Sequence, residues 1–363
     1  MLNCYPINAT AENWLHDTLV SMIESLHQNI ALGNVPKKSQ VSWKSLLPTN
    51  LPANLKKDIS ASHGLRDKFF AYMDAIQPLS APQRSQILKI LQDQNKIHDL
   101  VTGKGGLPLI PISLINVRDA AYDLFVFAFG KLTDFEVRKR QYQIIFDSLG
   151  NKICPFCGIE RVMDPEETAQ DQDHYLAKSL YPFSAANMRN LVPMCICCNR
   201  VYKKAQDVIS DENGKQRIAF DPYDCIPPKV SLMNSVIDDK ALLPIPEWNI
   251  NFLPASQEAE TWDAVFKIRT RYKRDILNHH YGTWLQGFRS KCALDRANGK
   301  LAEKLTQKQI RDALEEYRDY KAVSPSIGMA GFLEPLVFDF LLQKFDQGEV
   351  RIVDLVHDAV LGI

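Results

Sequence analysis

Two short cysteine motifs constrain this chain more than anything else in it: Cys154-Pro-Phe-Cys157 and Cys195-Ile-Cys-Cys198. Each C-x-x-C makes a tight knuckle that turns two thiolates toward one point. Two such knuckles at this separation predict a single tetrahedral zinc site. Four thiolates close the coordination shell, so this metal is expected to be structural and to fix the ends of the segment between the knuckles. That segment is longer than in a plain zinc ribbon. It carries Asp173-His174 and then Asn190-Leu-Val-Pro, and Asn199 directly follows the last cysteine.

The stretches Asp173-His174-Tyr-Leu-Ala-Lys-Ser, Asn190-Leu-Val-Pro-Met-Cys195 and Cys198-Asn199-Arg-Val-Tyr-Lys203 resemble the HNH endonuclease family. Its ββα-metal module is often stapled by two C-x-x-C knuckles. The resemblance covers residues 150–210 and implies a phosphodiester hydrolase. It makes His174 the general base, since an imidazole titrates near neutrality and suits removal of a proton from water. It sets Asn190 behind that ring as its orienter. It makes Asp173 and Asn199 the ligands of one divalent ion, Mg²⁺ or Mn²⁺, which neutralises charge on the phosphate and the leaving oxygen. The chain departs from the family pattern at Asn199, where histidine is usual. The departure is similar to the variant in RNA-guided DNA nucleases, and an amide oxygen still suits a hard cation. Lys178, Arg200 and Lys203 lie close by in sequence and are expected phosphate contacts.

Composition sets the context for that reading. The 363 residues are 45% apolar and 24% charged, with zero formal net charge, so a nucleic-acid enzyme must concentrate its positive charge locally. The densest basic run, Lys267, Arg269, Arg271, Lys273 and Arg274, is interleaved with aromatics. Arg271, Lys273 and Arg274 are therefore candidates for a nucleic-acid groove, against the plainer reading of a solvated helix face. The basic triplet Arg138, Lys139 and Arg140 reads first as a solvated face, and Gly103-Lys104 as a turn without the full phosphate-loop pattern. No apolar run is long enough to span a membrane, and the first residues carry no signal-peptide pattern. Cys4, Cys197, Cys225 and Cys292 are scattered, which predicts reduced thiols in a cytoplasmic protein. Cys197, inside the second knuckle, is a competing thiol.

The fold class expected is mainly α with a small α+β insert. It comprises a helical N-terminal region (1–150), a ββα-metal module with zinc knuckles (151–255) and a helical C-terminal region (256–363). Apolar spacing predicts a helix after Thr10 carrying Leu15, Leu19, Met22, Ile23 and Leu26, a second near 65–76, and a buried one over 117–129. Capping boxes are expected at Ser80–Gln83, Thr133–Glu136 and Thr306–Gln309. Short strands are expected around 172–175, 218–223 and 248–252, a surface loop at the acidic run 164–171, and a helix at 199–207. Phe332–Phe345 reads as an apolar helix, and 351–360 as either strand or helix. The function expected is a metal-dependent endonuclease acting on DNA, in antiphage defence or restriction, with the helical flanks free to bind a protein partner. An RNA-cleaving toxin and a non-catalytic zinc scaffold are the alternatives.

Overall fold

Helices dominate because apolar residues recur at three-to-four spacing through most of the chain. The computed structural model describes residues 2–166, 172–237, 245–302, 304–324 and 330–362. Part of the acidic run, 167–171, lies outside them. By its contacts the chain divides into two compact units: Asn3–Lys152 with Val162–Ile226, and Met1–Leu2 with Ile153–Arg161 and Pro227–Ile363. The expected three-part division follows chain order, whereas this grouping interleaves the segments.

The unit built mostly from the N-terminal half holds α1 (Trp14–Ala31), α2 (Gln40–Leu46), α3 (Ala53–Ala61), α4 (His63–Ile76), α5 (Ala81–Gln94), α6 (Ile97–Val101), α7 (Ile115–Asp134) and α8 (Val137–Ser148). In α1 the buried face is Leu15, Leu19, Met22, Ile23, Leu26 and Ile30. Thr10 is not its cap: its hydroxyl closes a separate 3-10 turn onto Ile7, and α1 starts after Asn13. The α5 box forms as expected, with Ser80 and Gln83 reciprocally bonded and proline in the first turn. The box expected at Thr133 does not form, because α7 runs through Asp134 and keeps Thr133 in its last turn. Then α8 starts after Glu136, which takes a left-handed conformation (φ 57°). Helices α4 and α7 pack closely at Gly64, where any Cβ would lie 2.2 Å from the Phe127 ring.

The core of these helices extends into the segment between the knuckles. Phe183, Ala185, Ala186, Met188 and Leu191 are buried with residues of α1, α2, α4, α5 and α7. The Phe183 ring meets Phe125 and Tyr72 edge-on at 5.7 and 6.1 Å. Polar side chains tie the same segment down. Gln94 Oε1 accepts from Phe183 N at 2.9 Å, Asn13 Oδ1 accepts from Met188 N at 2.9 Å, and Gln141 donates to Met188 O at 2.8 Å. Strands β1 (Gln172–His174) and β2 (Leu191–Pro193) pair antiparallel on either side of it, with Asp173 opposite Val192 and His174 opposite Leu191. The stretch 218–223 forms no strand, only an isolated bridge between Asp221 and Asp224.

The second unit contains two small antiparallel pairs, β3 (Lys229–Ser231) with β6 (Asn251–Leu253) and β4 (Val236–Ile237) with β5 (Pro246–Glu247). Its helices are α9 (Gln257–Phe266), α10 (Ile268–Arg271), α11 (Asn278–Ala297), α12 (Gln307–Val323), α13 (Leu333–Asp346) and α14 (Val350–Leu361), with a π-helical segment, Tyr272–Leu277, between α10 and α11. The Thr306–Gln309 box opens α12. The undecided tail is helix α14. No described helix is long and apolar enough to cross a membrane. The chain is thus mainly α with a small α+β part, as its sequence pattern predicts.

Candidate active site and metal centre

The first knuckle follows a short turn. Cys154 O accepts from Gly158 N at 2.8 Å, and Gly158 takes the left-handed conformation (φ 65°) that closes it. Trp262 Nε1 donates to Phe156 O at 2.8 Å and Tyr272 donates its hydroxyl to Cys157 O at 2.9 Å, so the knuckle backbone is held by side chains of the helices around it. In the second knuckle Cys195 Sγ accepts from the Cys198 amide at 3.4 Å. Such N–H···S contacts favour a thiolate and leave its metal-binding lone pairs available. Cys154, Cys157, Cys195 and Cys198 are all buried, with their sulfur atoms within 4.8 Å of one another. Four buried converging thiols fit a metal such as zinc. Cys197 is half-buried and outside this set.

Between the knuckles, His174 and Asp173 sit side by side on β1. The His174 ring is 7% exposed. Its Nε2 lies 2.9 Å from Ala185 O, and because a carbonyl can only accept, Nε2 must carry the hydrogen. The Nδ1 lone pair is then the one left to take a proton. Phe129 packs on the ring at 4.5 Å between centroids, and the Arg138 guanidinium lies over the Phe129 ring at 4.3 Å. Burial, reinforced by the positive charge of Lys178, pushes the imidazole down to about 3, so the ring is neutral across the physiological range.

Asp173 is largely enclosed, and burial raises its carboxyl above the ordinary range against the pull of Lys203. Lys203 Nζ lies 2.6 Å from Asp173 Oδ2, an ion-pair distance but off a hydrogen-bond direction, so that buried oxygen has no hydrogen-bond donor. The same ammonium donates to His174 O at 2.9 Å. Lys203 is only 1% exposed. It was expected among the phosphate contacts; instead its long stem carries the charge inward to the acid on β1.

Asn190 is fully buried and its amide is saturated. Its Oδ1 accepts from Leu176 N at 2.7 Å, and its Nδ2 reaches Leu176 O at 3.1 Å and both Ser184 oxygens at 3.2 Å. It therefore ties the chain just after His174 to the turn that presents Ala185 O. Its action on the His174 ring passes through that backbone. Asn199 is half-buried in a π-helical turn, Cys197–Lys203, which replaces the expected helix over 199–207 and ends at Lys204 with a positive φ (51°). Asn199 lies four residues before Lys203 in the same turn.

The basic run expected to line a groove is used mostly inside its own unit. Arg271 is 2% exposed, with its guanidinium 3.7 Å from Glu160, so it presents no surface to a phosphate. Arg269 pairs with Glu260 at 2.6 Å and Asp263 at 3.0 Å and stacks on Phe252. Arg274 is exposed but pairs with Asp275 at 2.5 Å, and Lys273 is half-buried. In the first unit Lys178 is half-buried and Arg200 exposed.

Cys4 and Cys225 form a disulfide, which corrects the expectation that both are reduced thiols. Residues beside it reach β2: Tyr5 donates its hydroxyl to Pro193 O, and Tyr223 donates its own to Leu191 O at 2.5 Å. The two rings pack at 5.7 Å. The signal that could have found them is faint, since a tyrosine next to Cys4 and another two residues before Cys225 do not form a motif.

Comparison with protein-family models, with curated proteins and with solved structures finds no match to this chain.

Proposed function

We propose that this chain is a metal-dependent HNH-type endonuclease that hydrolyses phosphodiester bonds in DNA. The observation that carries the reading is the arrangement around β1. His174 and Asp173 are adjacent on one strand of a hairpin, Ala185 O fixes the hydrogen on His174 Nε2, and the turn bearing Asn199 is anchored to the same strand through Lys203. His174 Nδ1 would take the proton of the attacking water; burial keeps the ring neutral, as that step needs, but also holds its basicity below the near-neutral value expected of a free imidazole. Asn190 holds the backbone on both sides of the ring.

The residue types suit a hard divalent cation, Mg²⁺ or Mn²⁺: Asp173 offers a buried carboxylate whose Oδ2 is paired with the Lys203 ammonium, and Asn199 offers an amide oxygen on the turn that Lys203 ties to β1. The bound ion would neutralise charge developing on the phosphate and the leaving oxygen. Lys178 and Arg200 are the phosphate contacts this reading keeps near the site, with Lys273 and Arg274 as contacts farther along the chain. The resemblance of residues 150–210 to HNH enzymes supports a role in antiphage defence or restriction. The zinc would be structural, held by Cys154, Cys157, Cys195 and Cys198.

The test is a cleavage panel: supercoiled plasmid, linear duplex, single-stranded DNA and structured RNA, each with Mg²⁺, Mn²⁺ or EDTA. The reading predicts metal-dependent cutting of DNA. Cutting confined to RNA transfers the same chemistry to an RNA-cleaving enzyme. No cutting of any substrate by zinc-loaded protein removes the nuclease reading and leaves a zinc scaffold.

A further inference from the structure

Lys203 is the least expected group near β1. A fully buried lysine is rare unless paired, and this one spends its charge on the acid that the proposed reading assigns to a metal. Its ammonium lies 2.6 Å from Asp173 Oδ2 and 2.9 Å from the His174 carbonyl oxygen, so it touches both β1 residues of the candidate site. Three cations act on the neighbouring imidazole, those of Lys178, Lys203 and Arg138, and two of them, Lys203 and Lys178, act on Asp173 as well. A divalent ion arriving at Asp173 therefore meets an oxygen already engaged by one positive charge, that of Lys203, with a second, that of Lys178, acting on the same carboxylate.

Resting on the nuclease reading, we infer that Lys203 is the resident counter-cation of the metal site. It is a positioning residue that holds Asp173 against the helical turn when no divalent ion is bound, and a divalent ion must share the carboxylate with it or displace it. Two consequences follow from Coulomb's law at short range. The metal-free site is preorganised, because the Lys203–Asp173 pair joins the Asn199 turn to β1. The intrinsic affinity for a divalent ion is held down, and it rises when a phosphodiester brings compensating negative charge. Metal and substrate then bind cooperatively, and the coupling is reciprocal.

The test uses the full-length, zinc-loaded protein and three variants. Lys203→Gln keeps two hydrogen-bonding atoms at the end of a shorter stem without the charge. Lys203→Met removes both, and Lys203→Arg keeps the charge. Mn²⁺ affinity is read by electron paramagnetic resonance with and without a non-cleavable phosphorothioate duplex, and the thermal midpoint is read in EDTA. Lys203→Gln is expected to bind Mn²⁺ about tenfold or more tightly than the wild type in the absence of DNA. It should also lose most of the gain in affinity that the duplex gives the wild type. Lys203→Met should show the same tightening with a lower midpoint in EDTA that Mn²⁺ restores, and Lys203→Arg should resemble the wild type. Equal or weaker Mn²⁺ binding by a folded Lys203→Gln protein overturns this inference and leaves the nuclease reading standing. Absence of Mn²⁺ binding by every protein, with and without duplex, overturns both.

Discussion

His174 Nε2 and the carbonyl oxygen of Ala185 lie 2.9 Å apart, and this contact decides which ring nitrogen can act as a base. Ala185 is set by packing far from the chemistry, since it belongs to the apolar core of α1, α4 and α7. A helical N-terminal region thus fixes a tautomer on a strand between the knuckles.

The cysteine cluster predicts about one tightly held zinc per chain, because four buried thiols converge within 4.8 Å. Elemental analysis of purified protein checks this. Cys154→Ser and Cys195→Ser should each lose the metal and unfold its surroundings, since binding there is part of folding. Folded wild-type protein without metal would contradict the assignment.

Buried neutral histidines predict acid sensitivity. Burial lowers His16 to about 3 and His27 to about 4, against 6.5 for the exposed side chain. Both folded values are depressed, so the unfolded chain binds the extra protons. The stability these groups contribute is complete above pH 6.5 and is lost as pH falls from 6.5 toward 4. Each costs up to about 1.4 kcal/mol per pH unit in that window. Thermal midpoints from pH 8 to pH 4.5 should be flat above 7 and fall below 6.5. Replacing both residues with glutamine should make the acid limb shallower, leaving the share of the buried His174.

The Cys4–Cys225 disulfide predicts a difference between oxidised and reduced protein. A non-reducing peptide map should recover the two cysteines together. Removing a disulfide from a chain commonly costs about 2–4 kcal/mol. A dithiol reductant should lower the midpoint, and the Cys4→Ser variant should sit at the reduced value with or without reductant. Hydrogen exchange should rise in 191–193, the segment that Tyr5 and Tyr223 bond.

The basic run gives a prediction of opposite kind at neighbouring positions. Arg271→Gln should destabilise the fold, by about 1–3 kcal/mol, because Arg271 is enclosed, although its acidic neighbour Glu160 is partly exposed. It should leave the salt dependence of DNA binding unchanged. Arg200→Gln should do the reverse, flattening the slope of log affinity against log salt by about 0.7–0.9. Anisotropy titrations at several salt concentrations, with unfolding curves, separate the two.

What could be read from the sequence follows from where the information is stored. The knuckles were legible because ligand spacing is a local property, and Cys154, Cys157, Cys195 and Cys198 do converge. The strand carrying Asp173 and His174 was legible, but its partner at Leu191–Pro193 was not, because a three-residue strand leaves no alternation to read. Lys203 was not, because a lysine in a basic stretch is ordinarily solvated, and only the π-helical turn and Lys204 aim it inward. Arg271 failed for a related reason: a π-helical segment follows it at Tyr272–Leu277 and shifts which residues share a face. The Cys4–Cys225 bond spans 221 residues, a separation over which sequence carries no pairing signal.

The most direct measurement is single-turnover cleavage of duplex DNA by His174→Ala beside the wild type, in Mn²⁺, with zinc content and circular dichroism recorded for both. If His174 is the base, the variant keeps its zinc and its spectrum and loses about 10²–10⁴-fold in rate. A His174→Ala protein that cuts at the wild-type rate would contradict the account at its centre.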